Sequence, residues 1–215
     1  MRLFHFVSLG ASLLAPIIQS HAGAAIEGRV TLPRGANAGA TPRYSADIVG
    51  HVDPPAPPVA VVYLVGDFPA TPTTNLTAEL IQQHFQFRPA VLPVRKGTTI
   101  EFPNRDDSYH SVFSYSKPKR FDLGRYRKDE KPAAVGFDQA GVVKLYCEIH
   151  EHMRATILVL DTPYFARTDT NGVFRLENLP AGKFVLKAWI DDKTEREQPV
   201  SLTAGDTLRV DFSKP

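Results

Sequence analysis

The sequence predicts an all-β protein assembled from sandwiches or barrels. Three observations carry that expectation. Short runs rich in Val, Ile, Phe and Thr recur along the 215-residue chain, and several alternate apolar with polar side chains at the two-residue period of a strand. Gly, Pro and Asn-Gly punctuate the runs, and the 18 prolines are spread rather than gathered into one tract. No stretch keeps a helical period for about a dozen residues, which removes bundles and α/β folds.

The elements follow in order. Residues 1–24 read as a cleaved signal peptide: Arg2 opens it, Leu3 to Ile18 is apolar, and the small residues Ala22, Gly23 and Ala24 suit a signal peptidase. Ser, Gly and Pro interrupt the apolar stretch and no second hydrophobic run follows. An exported, periplasmic protein with no membrane insertion after leader removal is therefore expected. "AIEGRVTL" (25–32) and "VAVVYLVG" (59–66) are strands, separated by a Gly- and Pro-rich segment ending in "DPPAPP". Residues 77–83 are expected to make a short helical turn. Phe85 and Phe87 alternate around Gln86, and Thr98, Ile100 and Phe102 alternate with Thr99 and Glu101. "SYHSVFSYS" (108–116) alternates too, with His110, Val112 and Ser114 on one face and Tyr109, Ser111 and Phe113 on the other. Residues 117–132, with seven basic and three acidic side chains, are read as a loop. Two strands around a Gln-Ala-Gly turn occupy 133–147, "ATILVL" (155–160) follows, and the remaining strands read as hairpins with Asn171-Gly172 as a turn signal.

Composition narrows the function. The formal net charge is only +2, which argues against a nucleic-acid partner. The hydrophobic fraction of 43% permits a real core. Once Met1 leaves with the leader, Cys147 and Met153 are the only sulfur side chains. Export puts an unpaired thiol in an oxidising compartment, so Cys147 must be buried, capped or bound to metal.

Cys147, His150 and Met153 are spaced C-x2-H-x2-M directly after a strand, and a turn there would aim all three at one point. Thiolate, imidazole and thioether favour copper over hard cations, whereas zinc makes little use of a thioether. A trigonal site needs one more imidazole, and His110 on its strand is the candidate. Taken singly, the cysteine and methionine are core residues and the histidine a satisfied strand residue; the joint spacing is what points to metal.

Two resemblances extend this reading. "FRPAVLPVRKGTTIEFPNRDDSYHSVFS", "FDLG" and "VGFDQAGVVKLYCEIHEHMRATILVL" resemble a cupredoxin of the plastocyanin and amicyanin group, with the short amicyanin spacing from Cys to Met. "TDTNGVFRLENLPAGKFVLKAW" and "VSLTAGDTLRVDF" resemble the latter half of a carboxypeptidase regulatory-like, or transthyretin-like, β-sandwich, whose opening strands would be "EGRVTL" and "VAVVYLVG". The resemblances imply an all-β chain with a cupredoxin Greek-key sandwich (67–160) inserted into a discontinuous transthyretin-like sandwich (25–66 and 161–215). A tandem arrangement, with the first strands joining the central domain, is the alternative.

The cupredoxin resemblance implies one type 1 (blue) copper ion, held in plane by His110, Cys147 and His150 with Met153 as the weak axial ligand. It implies the Ser111 amide as a donor to the Cys147 sulfur, and a monomeric electron carrier serving redox protein partners rather than an enzyme. Glu148, Glu151, His152 and Arg154 make the rim around His150 more charged than the family pattern. His152 is either an exposed loop residue or a replacement for Met153. One H-x-H pair is too few for a multicopper oxidase. His51 and His84 are expected on the surface without partners, and "DDSY" before His110 as a turn with solvated carboxylates. "NLT" at 75–77 is discounted as a glycosylation site because the leader reads as bacterial. The basic 117–131 segment is a solvated face or a steering patch for an acidic partner. Copper storage or delivery, and a structural or carbohydrate-binding exported protein whose cupredoxin domain has lost its metal, are the rival functions.

Overall fold

A computed structural model describes residues 23–34, 51–68, 76–130 and 134–212. The leader up to position 22, Asn75 and Lys131 lie outside the described residues. Among the described residues the chain is all-β, as expected, and no helix is long and apolar enough to cross a membrane.

The first strand, β1 (Ala24–Val30), begins inside the stretch assigned to the leader: Ala24 is buried and pairs with Leu179. β1 is the middle of three strands, antiparallel to β14 (Val173–Leu179) and parallel to β17 (Thr207–Phe212). An added Cβ at Gly28 would lie 1.6 Å from the Val210 carbonyl oxygen, so β1 can sit between its neighbours only with glycine there. Facing it is a four-stranded sheet. β2 (Val61–Val65) lies between β13 (Phe165–Arg167) and β15 (Gly182–Asp191), and β16 (Thr194–Leu202) forms the far edge. Alternation along β14 sends Phe174 and Leu176 inward, and an irregularity at Asn178 (φ 55°) turns Leu179 inward as well. There they meet Ile26, Leu64, Leu186 and Val200 in one apolar core.

Two expectations about the C-terminal strands change. Asn171-Gly172 makes a turn, with Gly172 at φ 80°, but closes no hairpin: β13 pairs with β2 and β14 with β1. The turn carries the chain from one sheet to the other. Only β15 and β16 form a hairpin among these strands.

The central residues build a second core. β6 (Val91–Arg95), β12 (Arg154–Leu160), β11 (Gly141–Tyr146), β8 (His110–Ser116) and β9 (Lys119–Tyr126) form a five-stranded sheet in that order. Opposite lie β10 (Ala134–Phe137), β7 (Thr98–Glu101) and β3 (Thr77–Glu79), together with the hairpin of β4 (Ile81–Gln83) and β5 (Gln86–Arg88). Phe87, Phe102, Phe137, Leu145 and Ile157 fill the space between. The helical turn expected over 77–83 is instead the two strands β3 and β4. β3 pairs with β7 and β4 with β5, so tertiary pairing overrides a weak local preference. Within the segment read as a loop at 117–132, residues 119–126 form β9, an edge strand whose charged side chains suit an unpaired edge.

A third apolar cluster joins the two units. Val61 and Trp189 of one pack with Leu158 and Leu160 of the other. Lys144 lies 5.7 Å from the Trp189 ring centroid and pairs with Asp192 at 2.8 Å.

Candidate metal centre

The C-x2-H-x2-M segment is the connection between β11 and β12, which pair antiparallel up to Tyr146 opposite Arg154. Its ends are closed by main chain: the Cys147 amide donates to the Met153 carbonyl at 3.4 Å and the Met153 amide to the His150 carbonyl at 2.9 Å. This short closed loop places Cys147, His150 and Met153 around the end of the sheet. β8 runs beside β11 and begins with His110, so the upstream imidazole arrives at the same end.

Three of the four expected side chains converge measurably. One ligand atom each from His110, Cys147 and His150 lies within 4.8 Å of the others. His110 Nδ1 is 3.0 Å from His150 Nδ1, which is 3.7 Å from Cys147 Sγ. Two imidazole lone pairs at that distance repel, so a shared proton or a cation must lie between them. Met153 is fully buried in the same apolar cluster as Cys147. His110 is also fully buried, Cys147 is 5% exposed and His150 is half-buried.

The surroundings orient these groups. His110 Nε2 lies 2.9 Å from Asp106 Oδ2, an acceptor, so the proton sits on Nε2 and Nδ1 keeps its lone pair toward the centre. Asp106 also accepts the amides of His84 and Phe85, at 2.8 and 3.0 Å. Both donors sit in the β4–β5 turn with positive φ, 52° and 56°. Such a conformation is strained for non-glycine residues, and the carboxylate holds it. The turn sets the Phe85 ring edge-on to both imidazoles, with centroids 5.4 Å from His110 and 5.0 Å from His150. Asn104 fixes the segment before His110: its Nδ2 donates to the Ser108 and Tyr126 carbonyls, and its Oδ1 accepts the Asp106 amide.

Electrostatics at the sulfur favour the thiolate on balance. Burial opposes charge on Cys147, but the His110 ring and the amides of Ser111, His150 and Ile149 outweigh it, and the thiol falls below its ordinary value. The Ser111 amide thus faces the sulfur as the resemblance implied. Its hydroxyl, 3.8 Å from Sγ, accepts the Glu148 amide at 2.8 Å. Ser111 was placed on the strand face opposite His110, yet it is 1% exposed because the 147–153 loop covers that face. Burial holds the His150 imidazole below its usual value, against a smaller opposite pull from Asp106. The neutral ring is the ligand form.

Several expectations change here. Asp106 is not solvated; its side chain is 10% exposed, and only Asp107 points outward. His152 is half-buried rather than exposed, with Nε2 3.0 Å from the Phe85 carbonyl and its ring 6.1 Å from that of His150. His51 and His84 do have partners: both pair with Asp53. Phe85 and Asp106 were missed because their roles depend on a turn distant in sequence. The position of Asp106 four residues before His110 was the one available signal. The rim beside His150 carries exposed Tyr109 and Ile149. Arg125 is bound to Glu148 at 2.9 Å, and Arg127 lies 4.6 Å from the Tyr109 centroid, so its charges are largely matched.

No protein-family model and no curated protein matches the chain. Among solved structures it is similar to a copper-containing nitrite reductase from Thermus scotoductus SA-01. The two are 25% identical over 46% of this chain and 25% of that one, with a TM-score of 0.38. It is similar to a purple cupredoxin from Nitrosopumilus maritimus at 22% identity, over 39% of this chain and 99% of that one, with a TM-score of 0.35. A variant of amicyanin matches at 17% identity, over 46% of this chain and 98% of that one, with a TM-score of 0.36. The chain thus spans a quarter of the length of the nitrite reductase.

Proposed function

We propose that the chain is an exported single-electron carrier for one type 1 copper ion, which His110, Cys147 and His150 would hold with the Met153 thioether as a weaker fourth donor. The observation that carries this reading is the convergence of one donor atom each from His110, Cys147 and His150 within 4.8 Å, with His110 and Cys147 buried and His150 half-buried. The donor set fits the ion: imidazole and thiolate are borderline and soft, and an ion held between them is offered no hard oxygen from those three residues. Bound there, copper supplies a one-electron couple.

The chain's own residues make that couple usable. Asp106 keeps the proton on His110 Nε2, so the ring neither rotates nor changes tautomer. The short loop closed between Cys147 and Met153 holds the sulfur and the His150 ring on the end of a stiff sheet. Phe85 excludes water from one side of both imidazoles. His150, half-buried between exposed Tyr109 and Ile149, is the point at which a redox protein would approach. No nucleophile or acid–base pair is needed for this role, and it is not that of an enzyme.

The second sandwich, from residues 25–66 and 161–215, is a scaffold on this reading, with 67–160 inserted as the copper unit. The pairing of β1 and β2 with β13, β14, β15 and β17 supports that division. The protein is taken to act as a periplasmic monomer.

Adding Cu(II) to the purified protein tests the proposal. An intense visible thiolate band that bleaches with ascorbate is expected, and Cys147→Ser is expected to abolish it. A colourless complex with Cu(I) alone would favour storage or delivery, and colour surviving in Cys147→Ser would overturn the ligand assignment.

A further inference from the structure

All five histidines among the described residues gather at one end of the molecule. His110, His150 and His152 surround the candidate centre, and His152 reaches the carbonyl of Phe85, whose chain neighbour is His84. His84 then meets His51 edge-on, with centroids 5.5 Å apart. These last two rings belong to a cluster that the copper reading does not use.

That cluster is organised around one carboxylate. His51 Nε2 lies 2.8 Å from Asp53 Oδ1, and His84 Nδ1 lies 3.0 Å from Asp53 Oδ2. The spacing is set by a main-chain bond, the Asp53 amide donating to the His84 carbonyl at 3.1 Å, and by the Gln86 side chain, whose Nε2 donates to the Asp53 carbonyl at 3.1 Å. On the other side, the His84 amide is tied to Asp106. The segment bearing His51 and Asp53 and the turn bearing His84 are therefore joined independently of their side chains.

We propose that His51, Asp53 and His84 form a second cation site, for a borderline divalent ion such as zinc or copper(II), where the segment before "PPAPP" crosses the β4–β5 turn. Two imidazoles and a carboxylate are a donor set for such ions, with water completing the coordination. The two rings hold opposite oxygens of Asp53, and the three donors do not all lie within 4.8 Å of one another as they do at the first centre. Binding therefore requires the His51 ring, on a side chain 73% exposed, to turn off Asp53 Oδ1 toward the ion. The ion would staple the proline-rich segment to the unit that carries the first centre. Arg88 also contacts Asp53 Oδ2, and a guanidinium beside a dication weakens its binding. The site is of modest affinity for that reason, and neutralising Arg88 should tighten it on the order of tenfold.

Zinc titration calorimetry on the full chain carrying Cys147→Ser tests this without relying on the first centre. One zinc equivalent is expected. Adding His51→Ala and His84→Ala should abolish it, and adding Arg88→Gln should tighten it on the order of tenfold, with circular dichroism verifying the fold of each variant. Unchanged uptake in the double-alanine chain, or no uptake in the Cys147→Ser chain, would overturn the proposal. A parallel readout uses the unmodified chain with excess Cu(II). A second paramagnetic signal, lacking the thiolate band and lost with His51→Ala and His84→Ala, is expected, and its persistence in that variant would also overturn the assignment.

Discussion

Seven buried polar side chains, Gln82, Thr98, Asn104, His110, Ser111, Ser114 and Thr156, lie in the unit that holds the candidate centre. Among the other described residues the buried polar ones are Thr162 and Thr168. The other core is packed almost wholly from Ile26, Val62, Leu64, Phe174, Leu186 and similar residues. Both are β-sandwiches of comparable strands, so the difference reflects what each interior has to do. Apolar contacts are non-directional and hold a scaffold together through area alone. Orienting two imidazoles and a sulfur to a fraction of an ångström needs directional bonds, and those come from Asn104, Ser111 and Asp106. The arrangement leaves a trace: Gln82 Nε2 donates to Tyr126 and to the Phe102 carbonyl, while Gln82 Oε1 lacks a hydrogen-bond partner. A buried acceptor of that kind costs about 1–3 kcal/mol.

The contrast can be broken in either unit. The largest effect is expected from Gly28→Val, whose side chain would begin 1.6 Å from a backbone oxygen. It should destabilise the scaffold by about 4 kcal/mol or more, read as a collapse of the denaturant midpoint. Next, Leu186→Ala, fully buried in the scaffold core, should lose about 3 kcal/mol while leaving the visible band of the copper-loaded protein in place. Asn104→Ala should show the reverse pattern. It is expected to lose about 2 kcal/mol and to shift or broaden the band, because the segment carrying Asp106 is released. A band that moves with Leu186→Ala and not with Asn104→Ala would erase the distinction between the two interiors.

The smallest effect concerns alkaline pH. Burial, then the nearby Glu195 carboxylate, pushes the Tyr63 hydroxyl up to about 12. An unfolded tyrosine ionises near 10, so the unfolded chain releases this proton first. The contribution of Tyr63 is present below pH 10 and fades as the pH climbs toward 12. Because the side chain is partly exposed, the loss should be no more than about 1 kcal/mol. Unfolding curves of Tyr63→Phe between those pH values should be flatter than those of the native chain.

The strands were legible where their signals are local. β1, β2 and β12 stand out as β-branched, apolar runs, β8 as an alternating one, and β14 follows the Asn171-Gly172 turn signal. The exceptions were β3 and β4, too short to show a period, and β9, whose charges look like a loop until an edge strand is seen to need them. Within the site, Cys147, His150 and Met153 could be read as a group because seven residues of one loop carry them. The Phe85 ring and the contact of His84 with Asp53 could not, since each depends on segments far apart in the chain. Asp106 and Asp53 lie close in sequence to His110 and His51, but only the folded turns aim those side chains at each other.

By itself, then, the amino-acid sequence determined the all-β class and the run of donors in the 147–153 loop, because backbone alternation and tight-turn spacing act over a few residues. Only the tertiary structure decided that Asn171-Gly172 bridges two sheets rather than closing one hairpin. It alone decided that Asp106 faces His110, and that Asp53 gathers His51 and His84. Those outcomes rest on which strands lie side by side, and strand order follows from burying two whole cores, not from any short stretch.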